Sequence, residues 1–322
     1  RLDSLSGDWI SVAAARHNRA HLPPAHLCPL CPTTEGNLSE IPDVFDVAVF
    51  ENKSPSFGPD LALFDDENYA VVPSLTLGST RASLGRCEVV VFSPEHLGSL
   101  AEQNVCRIRT IIDAWADRTE ELSSLPGVRQ VFPFENRGEE IGVTLSHPHG
   151  QIYAYSYIPP RTAKMLEVAR AHKEKTGHVL FDDIVARELR DEVRIIARNE
   201  HWVAYTPYAS RYPFEIHVVP LQPVADLTEL SPAACDSFPP IAIEVMQRLD
   251  GVFGIEMAYI AAWHQAPVRQ GRDLLRLHWQ ITSVRRAPGK LKYLAGSESA
   301  MGAFIMDMKP EQSAQQLKDV KL

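Results

Sequence analysis

The chain has 322 residues, is 45% hydrophobic and carries a formal net charge of -9, which suits one large globular domain or two of moderate size. The acidic balance excludes a general nucleic-acid binder, although it leaves room for local basic pockets that hold phosphates. No apolar run approaches the roughly 20 residues of a membrane span, so no membrane partner is expected. Five cysteines with one close pair make no disulfide framework, and a reducing cytoplasm is the expected location. The sequence opens on Arg1 rather than on a methionine, so a short leader ahead of it is allowed for.

In chain order, a short strand-like piece around Trp9 leads to Arg16 and Arg19 and then to a proline-rich loop holding Cys28 and Cys31. Strands are predicted at "VAVFEN" (47–52) and "CEVVVFSPEH" (87–96), the latter ending in a turn at Ser93 and Pro94. Val105, Ile108, Ile111, Ile112 and Trp115 recur at helical spacing, which predicts an amphipathic helix over 104–122. A strand "VRQVFPFEN" (128–136) and a second run, "SHPHGQIYAY" (146–155), follow. A helix from Arg161 to Lys175 then stops near Gly177.

The second half echoes the first. "FEIHVVPLQPVADLTEL" repeats the pattern of "CEVVVFSPEHLGSL", and "RLHWQI" (276–281) repeats "SHPHGQI" with one histidine and the glutamine kept. The expected fold is therefore α+β: two duplicated units, 1–160 and 161–322, forming one largely antiparallel sheet flanked by helices.

Strand side chains alternate, so His147, His149, Gln151 and Tyr153 are expected on one face. Two imidazoles and an amide are costly to bury without a purpose. Cys28 and Cys31 have the spacing of two ligands to one tetrahedral metal. With no second cysteine pair, histidines must complete the site, and His96 and His147 are best placed. A closed Cys2His2 site is structural, with no position left for a reacting water. The blander reading is two reduced loop cysteines beside unrelated histidines. If His147 is tied to the metal, His149 is held rigidly beside it and free to attack phosphorus, forming a covalent nucleotidyl intermediate. Gln151 then donates its amide to a phosphate oxygen. The alternatives are that both histidines bind metal, or that they merely pack.

"HPHGQIY" together with "CPLC", "FSPEH", "FENRG" and the opening "DWISVAAARHNR" resembles the galactose-1-phosphate uridylyltransferases of the histidine-triad superfamily. The resemblance runs over nearly the whole chain. It implies a ping-pong exchange of a uridylyl group between UDP-glucose and galactose 1-phosphate, with His149 as nucleophile and Gln151 on the phosphate. It also implies one structural zinc on Cys28, Cys31, His96 and His147. Arg16 and Arg19 match phosphate-contacting arginines, a role that suits guanidinium forks. Asn52, Asn136 and Thr144 match residues near the nucleotide and its phosphates; either asparagine alone would more often be a turn residue.

Two departures stand out. Some relatives carry an iron on one glutamate and three histidines; here only His264 matches, the other positions falling at Met165, Thr282 and Val284, so no second iron site is expected. His264 then becomes a packed or hydrogen-bonded histidine, and His278 a sheet residue. The segment 290–312 resembles the hexose-contacting stretch. Lys292, Tyr293 and Glu298 fit it, but Ser297 replaces a tyrosine and Phe304 a glutamine. In the family this stretch reaches a neighbouring subunit, which implies a homodimer. Two other readings stay open: an ADP-sugar phosphorylase using the same histidine, and a non-catalytic zinc-stabilised nucleotide-sugar binding protein.

Overall fold

The computed structural model describes residues 1–13, 23–37, 39, 41–58, 79–80 and 82–322. Nine strands form one sheet: β1 (Ala48–Glu51), β2 (Gly85–Val91), β3 (Gln130–Arg137), β4 (His149–Tyr155), β5 (Ile195–Arg198), β6 (Trp202–Tyr205), β7 (Phe214–Pro220), β8 (Tyr259–His264) and β9 (His278–Ser283). Their order is β1-β2-β4-β3-β8-β9-β7-β6-β5, and every pairing between them is antiparallel. A small hairpin, β10 (Arg285–Ala287) with β11 (Lys290–Leu291), stands apart.

The predicted duplication is written in the topology. Reading outwards from the centre, β3-β4-β2 on one side answers β8-β9-β7 on the other. Phe134 pairs with Ala262 at the junction; Gln151 lies across from Phe134 and Gln280 across from Ala262. In each half a 3-10 turn (Leu100–Glu102, Leu227–Glu229) precedes a helix of 20 residues, α1 (Val105–Ser124) and α4 (Pro232–Gly251). The two helices start alike. Asn104 accepts from the Arg107 amide and Ser231 from the Ala234 amide, each satisfying a donor that a helix start leaves unpaired.

Both long helices cover the same face of the sheet. Ile108, Ile111, Ile112 and Trp115 of α1 are buried there, as are Phe238, Ile241, Val245 and Leu249 of α4. Trp115, Trp202, Trp263 and Trp279 are each at most 2% exposed and form one aromatic seam with Phe238 between the halves. Burying each such side chain is worth about 1.5–3 kcal/mol, so the halves share one core. In the C-terminal half α2 (Pro160–Thr176) and α3 (Leu180–Asp191) follow β4, and Phe181, Val185 and Leu189 of α3 pack on Val203, Tyr205 and Val219. α5 (Gly296–Met301) and α6 (Pro310–Asp319) close the chain.

The strand-like piece expected around Trp9 is not a strand among the described residues: Trp9 forms an isolated β-bridge with Leu2. β2 starts at Gly85, earlier than expected, and ends at Val91, so the Ser93–His96 segment is loop.

Candidate active site

The face of the sheet turned away from α1 and α4 carries the polar residues. Residues paired across antiparallel strands share a face, so Val91, His149 and Gln151 of β2 and β4 lie with Phe134 and, past the centre, with Ala262, Gln280 and His217. β4 alternates as the sequence suggested: His149, Gln151, Tyr153 and Tyr155 are half-buried, while Gly150, Ile152 and Ala154 are buried against the helix side.

Cys28, Cys31, His96 and His147 converge, their ligand atoms all within 4.8 Å of one another. Cys31 Sγ is 3.3 Å from His96 Nδ1 and 3.5 Å from His147 Nδ1, and Cys28 Sγ is 4.0 Å from His147 Nδ1. His147 Nε2 lies 2.8 Å from the Ser93 carbonyl. That contact requires the proton on Nε2 and leaves the Nδ1 lone pair facing the sulfurs, the outer hydrogen bond that orients metal-bound histidines. Burial, with His96 and His149 adding to it, lowers His147 to about 4 against the pull of the Ser93 carbonyl, keeping the ring neutral. Burial and the neighbouring Cys28 push the Cys31 thiol up to about 11; a bound cation reverses that logic by favouring thiolate. Two sulfurs, two imidazole nitrogens and an outer hydrogen bond fit a tetrahedral metal. Among the described residues this is the one such group of three or more His, Cys, Asp or Glu ligands.

Two residues on, His149 Nδ1 donates to the His147 carbonyl at 2.7 Å. The tautomer is thus fixed with Nε2 unprotonated. Burial holds the ring below its ordinary pKa against that hydrogen bond. A neutral imidazole with a directed lone pair is a nucleophile. Gln151 Oε1 accepts from Tyr153 Oη at 3.5 Å, leaving the amide NH2 as the donor end. A cavity of about 270 Å³ borders His149, His147, Asn136 and parts of the loop from Gly138 to Ser146, though not Thr144. Thr144 sits half-buried on that loop. Glu135 borders the same cavity, but it pairs with Gly150, so its side chain turns to the helix side, where burial pushes it up to about 7 and it accepts from Tyr259 Oη at 2.9 Å. Its "FEN" context repeats that of Glu51, an exposed residue, so only the fold separates them.

The remaining predicted residues fall differently. Arg16 and Arg19 lie outside the described residues. Asn52 Oδ1 accepts from the Ser54 amide at 2.9 Å, a turn-capping contact. Lys292 and Glu298 are buried and bonded to each other at 2.9 Å. Glu298 also accepts from the Ala295 and Ile305 amides, and the Lys292 ammonium holds it down at about 2. Lys292 and Glu298 therefore organise the 292–305 segment from within. Tyr293 is 72% exposed, and Phe304 lies 6.2 Å from the Tyr212 ring with the Arg211 guanidinium over it.

A second polar cluster occupies the matching place in the other half. His278 Nδ1 donates to the Arg276 carbonyl, as His149 does to that of His147. Gln280 bonds Glu215 at 2.6 Å and His264 at 2.9 Å, and His217 lies 3.3 Å from Glu215. His264 and His278 stack with centroids 4.8 Å apart. His264 is hydrogen-bonded, as expected; His278 is more than a sheet residue, since it stands at the position of His149 and is sealed between Phe181 and His264. "RLHWQI" was the sequence signal for it. Nothing pointed to Glu215 and His217, whose β7 reads as an ordinary apolar strand.

A two-half antiparallel sheet that sets a neutral, tautomer-locked histidine beside a Cys2His2 cluster defines an α+β protein with a nucleophile-competent imidazole. The chain is a member of the galactose-1-phosphate uridyl transferase family: the family's N-terminal domain matches residues 1–159 and its C-terminal domain residues 165–322. The galactose-1-phosphate uridylyltransferase of Streptomyces lividans is 40% identical over 99% of this chain and 86% of its own length. That of Thermotoga maritima is 31% identical over 100% of this chain and 98% of its own. A solved uridylyltransferase superposes with a TM-score of 0.85 at 30% identity, covering 99% of this chain and 97% of that one. An ADP-glucose phosphorylase from Arabidopsis thaliana shares the fold, with a TM-score of 0.76 at 21% identity over 100% of this chain and 98% of that one.

Proposed function

We infer that the protein is a UDP-glucose:hexose-1-phosphate uridylyltransferase, exchanging a uridylyl group between UDP-glucose and galactose 1-phosphate through a covalent uridylyl-His149. The observation that carries this reading is the His149 Nδ1 bond to the His147 carbonyl at 2.7 Å, which aims the Nε2 lone pair outwards. Nε2 attacks the uridylyl phosphorus, an N–P bond forms, and the P–O bond to glucose 1-phosphate breaks, releasing that phosphate. An oxygen of galactose 1-phosphate then attacks the same phosphorus and the N–P bond breaks. The Nδ1 proton stays in place throughout, and the His147 carbonyl stabilises the positive charge that develops on the ring. Gln151 donates to a phosphate oxygen; Arg16, Arg19, Asn52, Asn136 and Thr144 bind the nucleotide and its phosphates.

The metal is a structural zinc on Cys28, Cys31, His96 and His147, which fixes His147 and so the carbonyl that holds His149. The functional units are the halves 1–160 and 161–322, in line with the two family domains. The 292–305 segment exposes Tyr293, Leu294, Met301 and Ile305; an apolar patch of this kind suits a contact with a second copy of the chain. In that homodimer Lys292, Tyr293 and Glu298 shape the hexose end of the site, Lys292 and Glu298 by holding the segment's form. Five free cysteines fit a reducing compartment such as the cytoplasm.

The test is an intact mass spectrum after incubation with UDP-glucose and no acceptor, with ADP-glucose in parallel. A uridylyl-sized gain is expected from UDP-glucose and none from His149→Ala, which keeps its zinc. A gain from ADP-glucose alone would move the protein to the phosphorylase reading, and loss of zinc in His149→Ala would make His149 a metal ligand.

A further inference from the structure

The loop between β3 and β4 carries Thr144 and ends at His147, so its placement decides where the phosphate contacts stand relative to His149. Its base is fixed by shape. Gly138 (φ +100°) and Gly142 (φ +81°) take conformations that side chains disfavour, and a Cβ on Gly138 would come within 2.6 Å of Ala258 Cβ. The turn closes on itself through the Gly142 amide to the Glu139 carbonyl at 2.9 Å. Its far end is fixed by His147. The apex, Glu139–Ile141, has no apolar anchor; all three residues are at least partly exposed. What holds it is an ion pair from Glu140 to Arg285 on β10.

We propose that Arg285 is a positioning residue of the transfer reaction: through Glu140 it holds the 138–146 loop at the register in which Thr144 meets the substrate phosphate. Three observations combine. The Arg285 side chain is only 13% exposed, so the guanidinium is largely withdrawn from water, while Glu140 meets it from the exposed side. Arg285 Nε is buried with no acceptor among the described residues, which leaves Glu140 as the anion that compensates the guanidinium. An enclosed cation deprived of its partner is strongly destabilised where it stands, so removing the carboxylate displaces Arg285 rather than leaving it idle. Both ends of the pair are rooted at one place: Ser283 Oγ, just before β10, donates to the Ala258 carbonyl at 2.7 Å, and Gly138 packs on the same Ala258. The hairpin also meets the 292–305 segment, whose Lys292 amide donates to the Val284 carbonyl at 2.6 Å. Arg285 thus ties the nucleotide loop to the root of the segment assigned to the hexose.

The inference rests on the uridylyl-transfer reading, and its test separates the two. Wild type, Glu140→Gln, Arg285→Met, the double variant and Arg285→Lys are compared for the rate of uridylyl-His149 formation, zinc content and amide exchange over 138–146. A misplacement of about 1 Å costs up to about 100-fold in rate. Each single charge-removing variant is expected to lose about 10- to 100-fold in kcat/KM for UDP-glucose and to exchange faster in the loop, with zinc unchanged. The double variant should lose no more than the worse single, because one clasp is broken either way, and Arg285→Lys should recover part of the loss. Unchanged exchange, losses that multiply, or faster exchange with full activity would each overturn the positioning role. Should Arg285→Met fail to fold, Glu140→Gln, an isostere at the more exposed end, decides alone. A wild type that forms no adduct and transfers nothing defeats the functional reading itself; a wild type that reacts alongside equally fast variants defeats only the clasp.

Discussion

His147 and His149 are two residues apart and chemically opposite. His147 spends its Nε2 proton on the Ser93 carbonyl and turns Nδ1 to the sulfurs; His149 spends its Nδ1 proton on the His147 carbonyl and turns Nε2 outwards. The division depends on Pro148, buried between them with its carbonyl taking the Phe92 amide at 3.1 Å. Cys28→Ser tests the dependence of one histidine on the other. Cys28 is 1% exposed, and a hydroxyl is a far weaker zinc ligand than a thiolate. Metal content should fall well below the wild-type value, and a stability loss of about 2 kcal/mol should lower the melting temperature by about 3 °C. Adduct formation should fall with the metal. Full adduct yield in metal-depleted protein would show that the His147 carbonyl holds its place unaided. The Cys2His2 cluster was legible at this scale because metal ligands have few substitutes. The place of Glu298 was not legible, because a carboxylate reads alike whether it faces a sugar or a buried lysine, and the 2.9 Å contact to Lys292 appears only in the fold.

At the scale of the element, β4 serves two masters. His149 and Gln151 line its outward face, and Gly150, between them, faces the helix side with no room to spare. A Cβ there would lie 2.8 Å from Phe92 Cζ and 3.0 Å from the Phe134 carbonyl. Gly150→Ala should therefore destabilise by about 1–3 kcal/mol through overpacking, read as a lower denaturant midpoint. Because the backbone must move, the adduct rate should drop further than the stability loss alone accounts for; an unaltered rate would mean that β4 absorbs the strain away from His149. Elements with clear periodicity, α1 above all, were visible in the sequence. α4 was harder to see, since Pro239 and Pro240 sit inside it and proline normally ends a helix. Tertiary burial of Phe238 and Ile241 outweighs that signal. The piece around Trp9 failed in the opposite way: among the described residues its strand-like sequence joins no ladder and forms an isolated bridge.

At the scale of the molecule, the two halves hold two equivalent places with different surroundings. In the second, His278 has the same hydrogen bond as His149 but is closed in by Phe181 and His264. Its neighbours pull both ways on its charge. Glu215 is held below the ordinary carboxylate range: burial pushes it up, but hydrogen bonds from His217, the Arg211 amide and Gln280 outweigh it. Glu215 and Gln280 therefore favour a charged His264, while burial, Arg161 and His217 oppose it. Burial wins, taking His264 to about 3 and His278 well below its usual value. Both rings stay neutral in the folded protein at pH values where an unfolded chain protonates them. Below about pH 6.5 the unfolded state therefore binds more protons, and stability must fall with pH by about 1.4 kcal/mol per unit for each histidine until the folded values are reached. Between pH 6.5 and 5 the pair should remove up to about 4 kcal/mol, seen as a falling urea midpoint. His264→Gln, which keeps a hydrogen-bonding side chain beside Gln280 but cannot titrate, should flatten that slope while lowering the midpoint at pH 7 by a smaller amount. Equal slopes in the two proteins would mean that the cluster gains its protons without unfolding, and that the second site is open to water after all.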